Sequence, residues 1–506
     1  MFVRKKKNKS GVVSVQIIDK SSGKYKVLKT IGSSSDESTV EVLFRRAQVE
    51  ISMLVGQSQI NFSEQKHDDF VSTVLDSIED IKLVGPELLL GKLFDEIGFN
   101  TIRDELFRHL VITRLVYPVS KLKTLDYLNK YHGIWIEKDR IYRHLDKLSG
   151  TRKEQIQQIS YRHTLAVLNN QMGVVFYDVT TLYFEIEDED DLRKTGFSKE
   201  GKHQNPQIVL GLLVSTHGYP LAYEIFEGNK YEGHTMLPVI ETFRHKYKLE
   251  KLVVVADAGL LSGDNIEQLQ ARGYEYILGA RIKNESNPVK KRILELSLKN
   301  GESAIIDKDE CTKIIISYST GRAKKDDYNR KRGLQKLEKT IISGKLNKKN
   351  INNRGYNKYL KLEGDVEVKI DYEKYHNDAV WDGLKGHVTN TTLTKDEVIE
   401  NYKQLWRIEK AFRISKTDLR IRPIYHRLKN RIEAHICIAF CAYKIYKELE
   451  RQLMEKKSAL SPEKVIDILK TINAITIRNP YSLKETTKLL LKKQEQVELL
   501  KLFGMM

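Results

Sequence analysis

The stretch GVVFYDVTTLYFE (173–185) decides the fold. It is rich in β-branched and aromatic residues, so it reads as a strand. It carries Asp178 among Val174, Val175, Phe176, Tyr177 and Val179. A carboxylate inside a buried strand is costly unless it is paired or bound to a cation. The segments that follow extend the pattern. PQIVLGLLVSTHGYPLAYEIFEG (206–228) reads as two strands around a His-Gly turn, and HTMLPVIETFRHKY (234–247) as a helix. KLVVVADAGLLS (251–262) reads as a buried strand ending in a turn, NIEQLQARG (265–273) as a short helix stopped by Gly273, and YEYILGARI (274–282) as a strand. Three sequential strands followed by alternating helices predict an α/β fold, a mixed sheet with covered faces.

The rhythm breaks over 283–390. ESAIIDK (302–308), CTKIIISYS (311–319) and VEVKIDY (366–372) read as strands around a strongly basic helical stretch at 321–350, hence a β-rich insertion. Before the sheet, VVSVQII (12–18) and YKVLKTI (25–31) read as a hairpin, and 38–170 as mainly helical and charged. After it, Thr394 and Glu397 form a capping-box pattern. Helical apolar runs then continue to the end, interrupted near Pro423, Pro462 and Pro480.

Asp257 repeats the arrangement of Asp178, at the end of Leu252–Ala256 and before an Ala-Gly turn. Acids at strand ends point into the crevice where α/β sheets bind ligands. Either aspartate alone is equally well explained as a turn cap. The third acid is Glu409. Tyr402, Leu405, Glu409, Phe412 and Lys416 follow one another at helical spacing, which puts all five on one face. The apolar members mark that face as buried, so Glu409 needs a cation there: a metal, or a salt bridge to another segment. Carboxylates from two strands and one helix suit two hard divalent cations of the kind that catalyse in-line phosphoryl displacement.

The bulk composition agrees with a polyanionic partner. Among 506 residues, 86 Lys and Arg face 68 Asp and Glu, a net charge of +18. The length implies about two to four domains. Only Cys311, Cys437 and Cys441 are present, so no disulfide framework is expected. Cys437 and Cys441 read as an apolar helix face rather than a zinc site. No run is apolar enough for a membrane span, and the basic N-terminus has no apolar stretch behind it, so a cytoplasmic protein is expected.

The sequence resembles DDE transposases of bacterial insertion sequences, through FYDVTTLYFE (176–185), VVVADAGLLS (253–262), WDGLKGHVTNT (381–391) and YKQLWRIEKAFRISKTDLRIRPIYH (402–426). The last is similar to the signature Tyr-x2-Arg-x3-Glu-x6-Lys, fitted by Tyr402, Glu409 and Lys416, with Leu405 in the Arg position. The resemblance implies an RNase H-like mixed sheet with a β-rich insertion, flanked by a mainly helical N-terminal region and a helical C-terminal region. It implies Asp178, Asp257 and Glu409 as catalytic residues and ligands of two Mg²⁺ ions, with Mn²⁺ able to substitute. The implied activity is cleavage at transposon ends and strand transfer into target DNA, by a homodimer in a synaptic complex on double-stranded DNA in a bacterial cytoplasm, at the nucleoid. Tyr402, Lys416, Arg413, Arg322, Lys324 and Lys325 are the expected DNA contacts, and Trp381 either packs or stacks on a displaced base. The expected division is a hairpin (1–37), a helical DNA-binding region (38–170), a catalytic domain in two parts (171–282 and 391–425) around the insertion (283–390), and a helical C-terminal region (426–506). A nuclease without strand transfer, or a non-catalytic DNA-binding derivative, is the alternative.

Overall fold

The computed structural model describes all residues except 22, 55–63, 199–200, 250, 261–262, 344–350, 353–354, 364–366 and 480–481. The end of the expected 251–262 turn, the last part of the basic stretch, Val366 and the Pro480 interruption therefore lie outside the described residues. In chain order the strands are β1 (Phe2–Lys7), β2 (Val13–Asp19), β3 (Lys26–Ser34), β4 (Ile78–Leu83), β5 (Val174–Tyr183), β6 (Gln207–Ser215), β7 (Pro220–Glu227) and β8 (Val253–Ala256). They continue with β9 (Glu275–Ala280), β10 (Ser303–Asp307), β11 (Lys313–Tyr318), β12 (Leu360–Glu363), β13 (Glu367–Ile370), β14 (Leu384–Thr389), β15 (Asn473–Arg478) and β16 (Glu485–Leu490).

The chain divides into two compact units. The larger comprises Gly85–Thr471 and Glu498–Met506. Its eight-stranded sheet has the order β10-β11-β14-β9-β8-β5-β6-β7. β5, β6 and β7 form an antiparallel meander, and β8 and β9 then run parallel to β5. This is the RNase H-like strand order. Helices Met236–Tyr247 and Gly263–Ala271 make the crossovers, and Gly273, at φ +67°, stops the second as expected. Val175, Tyr177 and Val179 face the core on one side of β5, with Val254, Ala256, Ile240 and Phe243. On the opposite side lie two helices, Trp406–Thr417 and Lys429–Glu455. The second is so thoroughly buried that Cys437 and Cys441 are ordinary core residues.

The insertion is organised differently from the expectation. β14, β11 and β10 add to the free edge of β9, all antiparallel, so most of its strand content belongs to the central sheet. Outside the sheet, the β12–β13 pair and the helices Thr320–Ile342 and Tyr372–Asn377 surround a small core of Leu337, Tyr359, Leu360, Val368, Ile370 and Tyr375.

The smaller unit comprises Met1–Val84 and Ile472–Val497. The β2–β3 hairpin is present, but the lysine-rich β1 pairs with β2 and makes the sheet three-stranded. Backbone pairing overrides the weak strand propensity of FVRKKK. The chain after 426 is not wholly helical either. β15 and β16 pair with each other, and β15 with β4 from the otherwise helical N-terminal region. NAITIR carries three successive β-branched residues, Ile475, Thr476 and Ile477, a strand signal that the surrounding helical pattern masks. Among the described residues no helix is long and apolar enough to cross a membrane.

Candidate active site

The site begins with strand register. Tyr177 pairs with Ala256, so Asp178 and Asp257 lie one step further along adjacent parallel strands. Ala256 pairs with Leu278, and Gly279 with His387. One row therefore crosses the sheet: Leu212, Asp178, Asp257, Gly279, His387 and Ile315. Asp178 is half-buried and Asp257 is exposed at the strand end. Each aspartate accepts a hydrogen bond from the next backbone N–H, Val179 at 2.8 Å and Ala258 at 2.7 Å.

The helical half differs from the single continuous face expected. The chain forms two helices, Lys395–Lys403 and Trp406–Thr417, joined at Gln404-Leu405. The capping box of Thr394 and Glu397 starts the first as expected. The joint tightens into i→i−3 hydrogen bonds, such as Leu405 N–H to Tyr402 O at 3.1 Å, and this rotates the faces of the two helices. Tyr402, Leu405 and Phe412 are buried, but Glu409 is exposed with Trp406 and Arg413. Glu409 is therefore not the buried charge in need of a cation that the spacing predicts. What remains is position. The Glu409 helix packs on β5 and β6. Phe412, one turn after Glu409, lines a small void with Leu212, the cross-strand partner of Asp178.

Tyr402 ties the two halves together. Its hydroxyl donates to Asp257 Oδ1 at 3.3 Å. Gly279 makes room for it, since a Cβ there would collide with the Tyr402 oxygen. The Tyr402 ring lies 4.5 Å from that of His387, and Lys385 Nζ sits 4.5 Å over it. Burial, then the charges of Asp257 and Glu409, push the Tyr402 hydroxyl above the usual tyrosine range. Tyr402 thus holds an acid instead of lying open to a phosphate. Burial and the neighbouring Arg322 lower Lys385, against the opposing pull of Asp257 and Glu409. Lys385 therefore shares a field with both acids. Burial, then Lys385 and Arg322, bring His387 down to about 3, so it is neutral at ordinary pH. Among the described residues no three acidic, His or Cys side chains stand close enough together to hold a metal ion.

The basic residues separate into groups. Arg322, Lys324 and Lys325 are exposed on the helix Thr320–Ile342, with Arg322 paired to Asp326 at 3.5 Å and near enough to Lys385 to act on its charge. Arg330 of the same stretch is buried against Asp327 and Asp382, whereas Lys331 pairs with Asp327 and stays exposed. Arg322, Lys385, Arg281 and Trp381 line a cleft of about 480 Å³ beside the row. Trp381 is half-buried there and packs against the main core. Arg413 is exposed and Lys416 half-buried on the Glu409 helix. Leu405, in the Arg position of the signature, is buried. Arg407 does not replace it, because it lines a separate cavity of about 640 Å³ with His217, Lys447 and Glu450. Lys385, His387 and Gly279 were missed as individual residues, although Lys385 and His387 lie within the quoted stretch 381–391.

No curated protein matches the chain. Among solved structures, the piggyBac transposase synaptic complex with hairpin DNA is similar at 10% identity and TM-score 0.37, over 72% of this chain and 69% of that one. The Mos1 transposase paired-end complex with left transposon end is similar at 9% identity and TM-score 0.16. The Mos1 mariner paired-end complex with Mn is similar at 10% identity and TM-score 0.15. The Mos1 alignments span 30% of this chain and 52% of those chains. The transposase DDE domain family matches residues 169–445, which contain the whole acid row and the Glu409 helix. That is more than half of the sequence, and the chain belongs to the transposase DDE domain family.

Proposed function

We propose that the chain is a DNA transposase that cuts at the ends of its own element and joins the freed ends to target DNA, with Asp178, Asp257 and Glu409 as the ligands of two Mg²⁺ ions. The observation that carries this reading is the cross-sheet row, with Asp178 in the middle of β5, Asp257 just past the end of the adjacent parallel strand β8, and the Glu409 helix packed on β5. The donor set fits the metal: three carboxylates supply the oxygen ligands that Mg²⁺ prefers, and Mn²⁺ accepts the same set. A bound pair of ions would supply activation of the attacking hydroxyl and stabilisation of the departing oxygen. The side chains do the positioning. Asp178 would serve as the shared ligand, and Tyr402 fixes the Asp257 carboxylate through its hydroxyl. Lys385 and Arg322 place positive charge where a phosphodiester would approach the row. Arg413, Lys416, Lys324 and Lys325 hold the duplex backbone without reading its sequence. Joining two ends calls for two copies of the chain on double-stranded DNA.

That no three acidic, His or Cys side chains gather among the described residues favours a second reading, a transposase-derived DNA-binding protein without catalysis. A gel assay separates the readings. Labelled duplexes spanning each flank of the gene are incubated with the protein, a plasmid target and Mg²⁺. The transposase reading expects cleaved ends and end–plasmid joints, both abolished by a chelator. Cleavage without joints indicates a nuclease, and binding without cleavage indicates the non-catalytic derivative.

A further inference from the structure

The three-stranded sheet of the smaller unit has one covered face and one open face. Val15 and Ile17 of β2 pack against Val40 and Ala47 of the helix Glu37–Leu54. The residues between them point the other way. Register aligns Arg4, Gln16 and Thr30 in one row across the three strands, and Lys6, Ser14 and Ser33 in the next. These rows are hydrogen-bonded along their length. Arg4 Nη2 donates to Gln16 Oε1 at 3.0 Å, Gln16 Nε2 to Thr30 Oγ1 at 3.5 Å, and the Ser14 and Ser33 hydroxyls meet at 2.7 Å. The open face therefore carries a hydrogen-bonded polar patch around Arg4, Gln16 and Thr30, next to Ile18, which is fully buried, and Ser14, which nearly is.

Residues 1–34 contain nine cations (Arg4, Lys5, Lys6, Lys7, Lys9, Lys20, Lys24, Lys26 and Lys29) and one acid, Asp19. The two that reach the helix are neutralised there: Lys5 pairs with Glu41 at 2.5 Å, and Lys29 pairs with Glu50. The other seven form no ion pair with any described residue. A surface this one-sided in charge is complementary to a polyanion.

We propose that the open face of β1–β3 docks into the major groove of duplex DNA, with Arg4 and Gln16 reading base edges and the surrounding lysines holding phosphates. Shape supports the occupant: three strands spaced by about 4.8 Å span roughly 10 Å, against a major groove about 12 Å wide. Side-chain chemistry supports it too, since Arg matches the acceptors of guanine, Gln matches adenine, and Ser or Thr accept either. Sequence selectivity is thereby assigned to a sheet at the N-terminus, outside the helical region 38–170. The inference rests on the transposase reading for its partner, DNA, and not for its geometry.

The test uses the full chain and labelled duplexes tiling both flanks of the gene, with a scrambled duplex as competitor. R4A/Q16A should bind the preferred flank duplex at least about tenfold more weakly, the value of one lost base-edge contact, and should lose its preference over the scrambled duplex. K5A/K29A, on the helix side, should keep that preference. Melting temperature is followed for both variants, and Q16A alone serves as a second variant if the double variant unfolds. Unchanged preference in a folded R4A/Q16A or Q16A variant overturns the proposal, as does an equal loss in K5A/K29A. Metal-dependent cleavage of the same duplexes is measured separately. If wild type cleaves while R4A/Q16A keeps its preference, the sheet proposal fails and the transposase reading stands. If R4A/Q16A loses preference while no protein cleaves, the sheet proposal stands and the catalytic reading fails.

Discussion

Tyr402 is the residue on which the geometry of the acid row turns. Its hydroxyl reaches Asp257 only because position 279 has no side chain. Tyr402→Phe should therefore slow DNA cleavage by roughly tenfold, the value of one hydrogen bond to a charged group, with DNA affinity unchanged. Gly279→Ala should cost at least as much, since the added carbon displaces the Tyr402 oxygen. Single-turnover rates beside binding titrations check both, and unchanged rates in both variants would remove Tyr402 from the site. Because burial and two acids raise the Tyr402 hydroxyl, the rate should show no falling limb near the ordinary tyrosine range. The residues of this row differ in how legible they are. Asp178 and Asp257 could be found because each interrupts an apolar, β-branched run. Lys385, His387 and Gly279 could not, because they meet the aspartates through pairing of β14 with β9 and of β9 with β8, which no local pattern announces.

At the scale of elements, helix ends carry testable energy. Asp104 caps the helix Glu105–Val116 by accepting from Phe107 N–H at 3.0 Å, and it also meets His144 and Arg152. Burial raises its carboxyl, but the hydrogen bonds from His144 and Phe107 and the charges of His144 and Arg152 outweigh that. The net effect takes it from 3.8 down to about 2. The folded-state value lies below the unfolded one, so the contribution is complete above pH 3.8 and is lost as pH falls toward 2. Asp104→Asn should destabilise the protein by about 1 kcal/mol near neutrality, after allowance for solvent screening, and by progressively less in acid. Denaturant titrations at several pH values measure this, and a pH-independent difference would contradict it. Element type was legible wherever periodicity was strong, as in β5 to β9 and the crossover helices. The joint at Gln404-Leu405 was not, because five residues at ideal helical spacing conceal a local tightening of the backbone. That one feature moves Glu409 from the expected buried face to the exposed one. β1 was illegible because its partner β2 supplies the pairing that its own sequence only weakly favours, and β15 because its strand signal sits among helical runs.

At the scale of the whole molecule, a net charge of +18 predicts that binding is governed by release of counterions from phosphates. Affinity for duplex DNA should fall by roughly 10³-fold or more between about 50 and about 200 mM salt. A nearly flat plot of log affinity against log salt would remove DNA as the main partner. The account as a whole depends on three carboxylates from two strands and one helix acting together. The direct measurement is the Mg²⁺-dependent cleavage rate of flank duplexes by wild type, Asp178→Asn, Asp257→Asn and Glu409→Gln, with DNA binding measured alongside. The prediction is a loss of at least about 10³-fold in each variant, about 4 kcal/mol of lost transition-state stabilisation, with DNA affinity within about threefold of wild type. Near-normal cleavage by Glu409→Gln would contradict the account, because the exposed acid on the Trp406–Thr417 helix would then have no part in the chemistry.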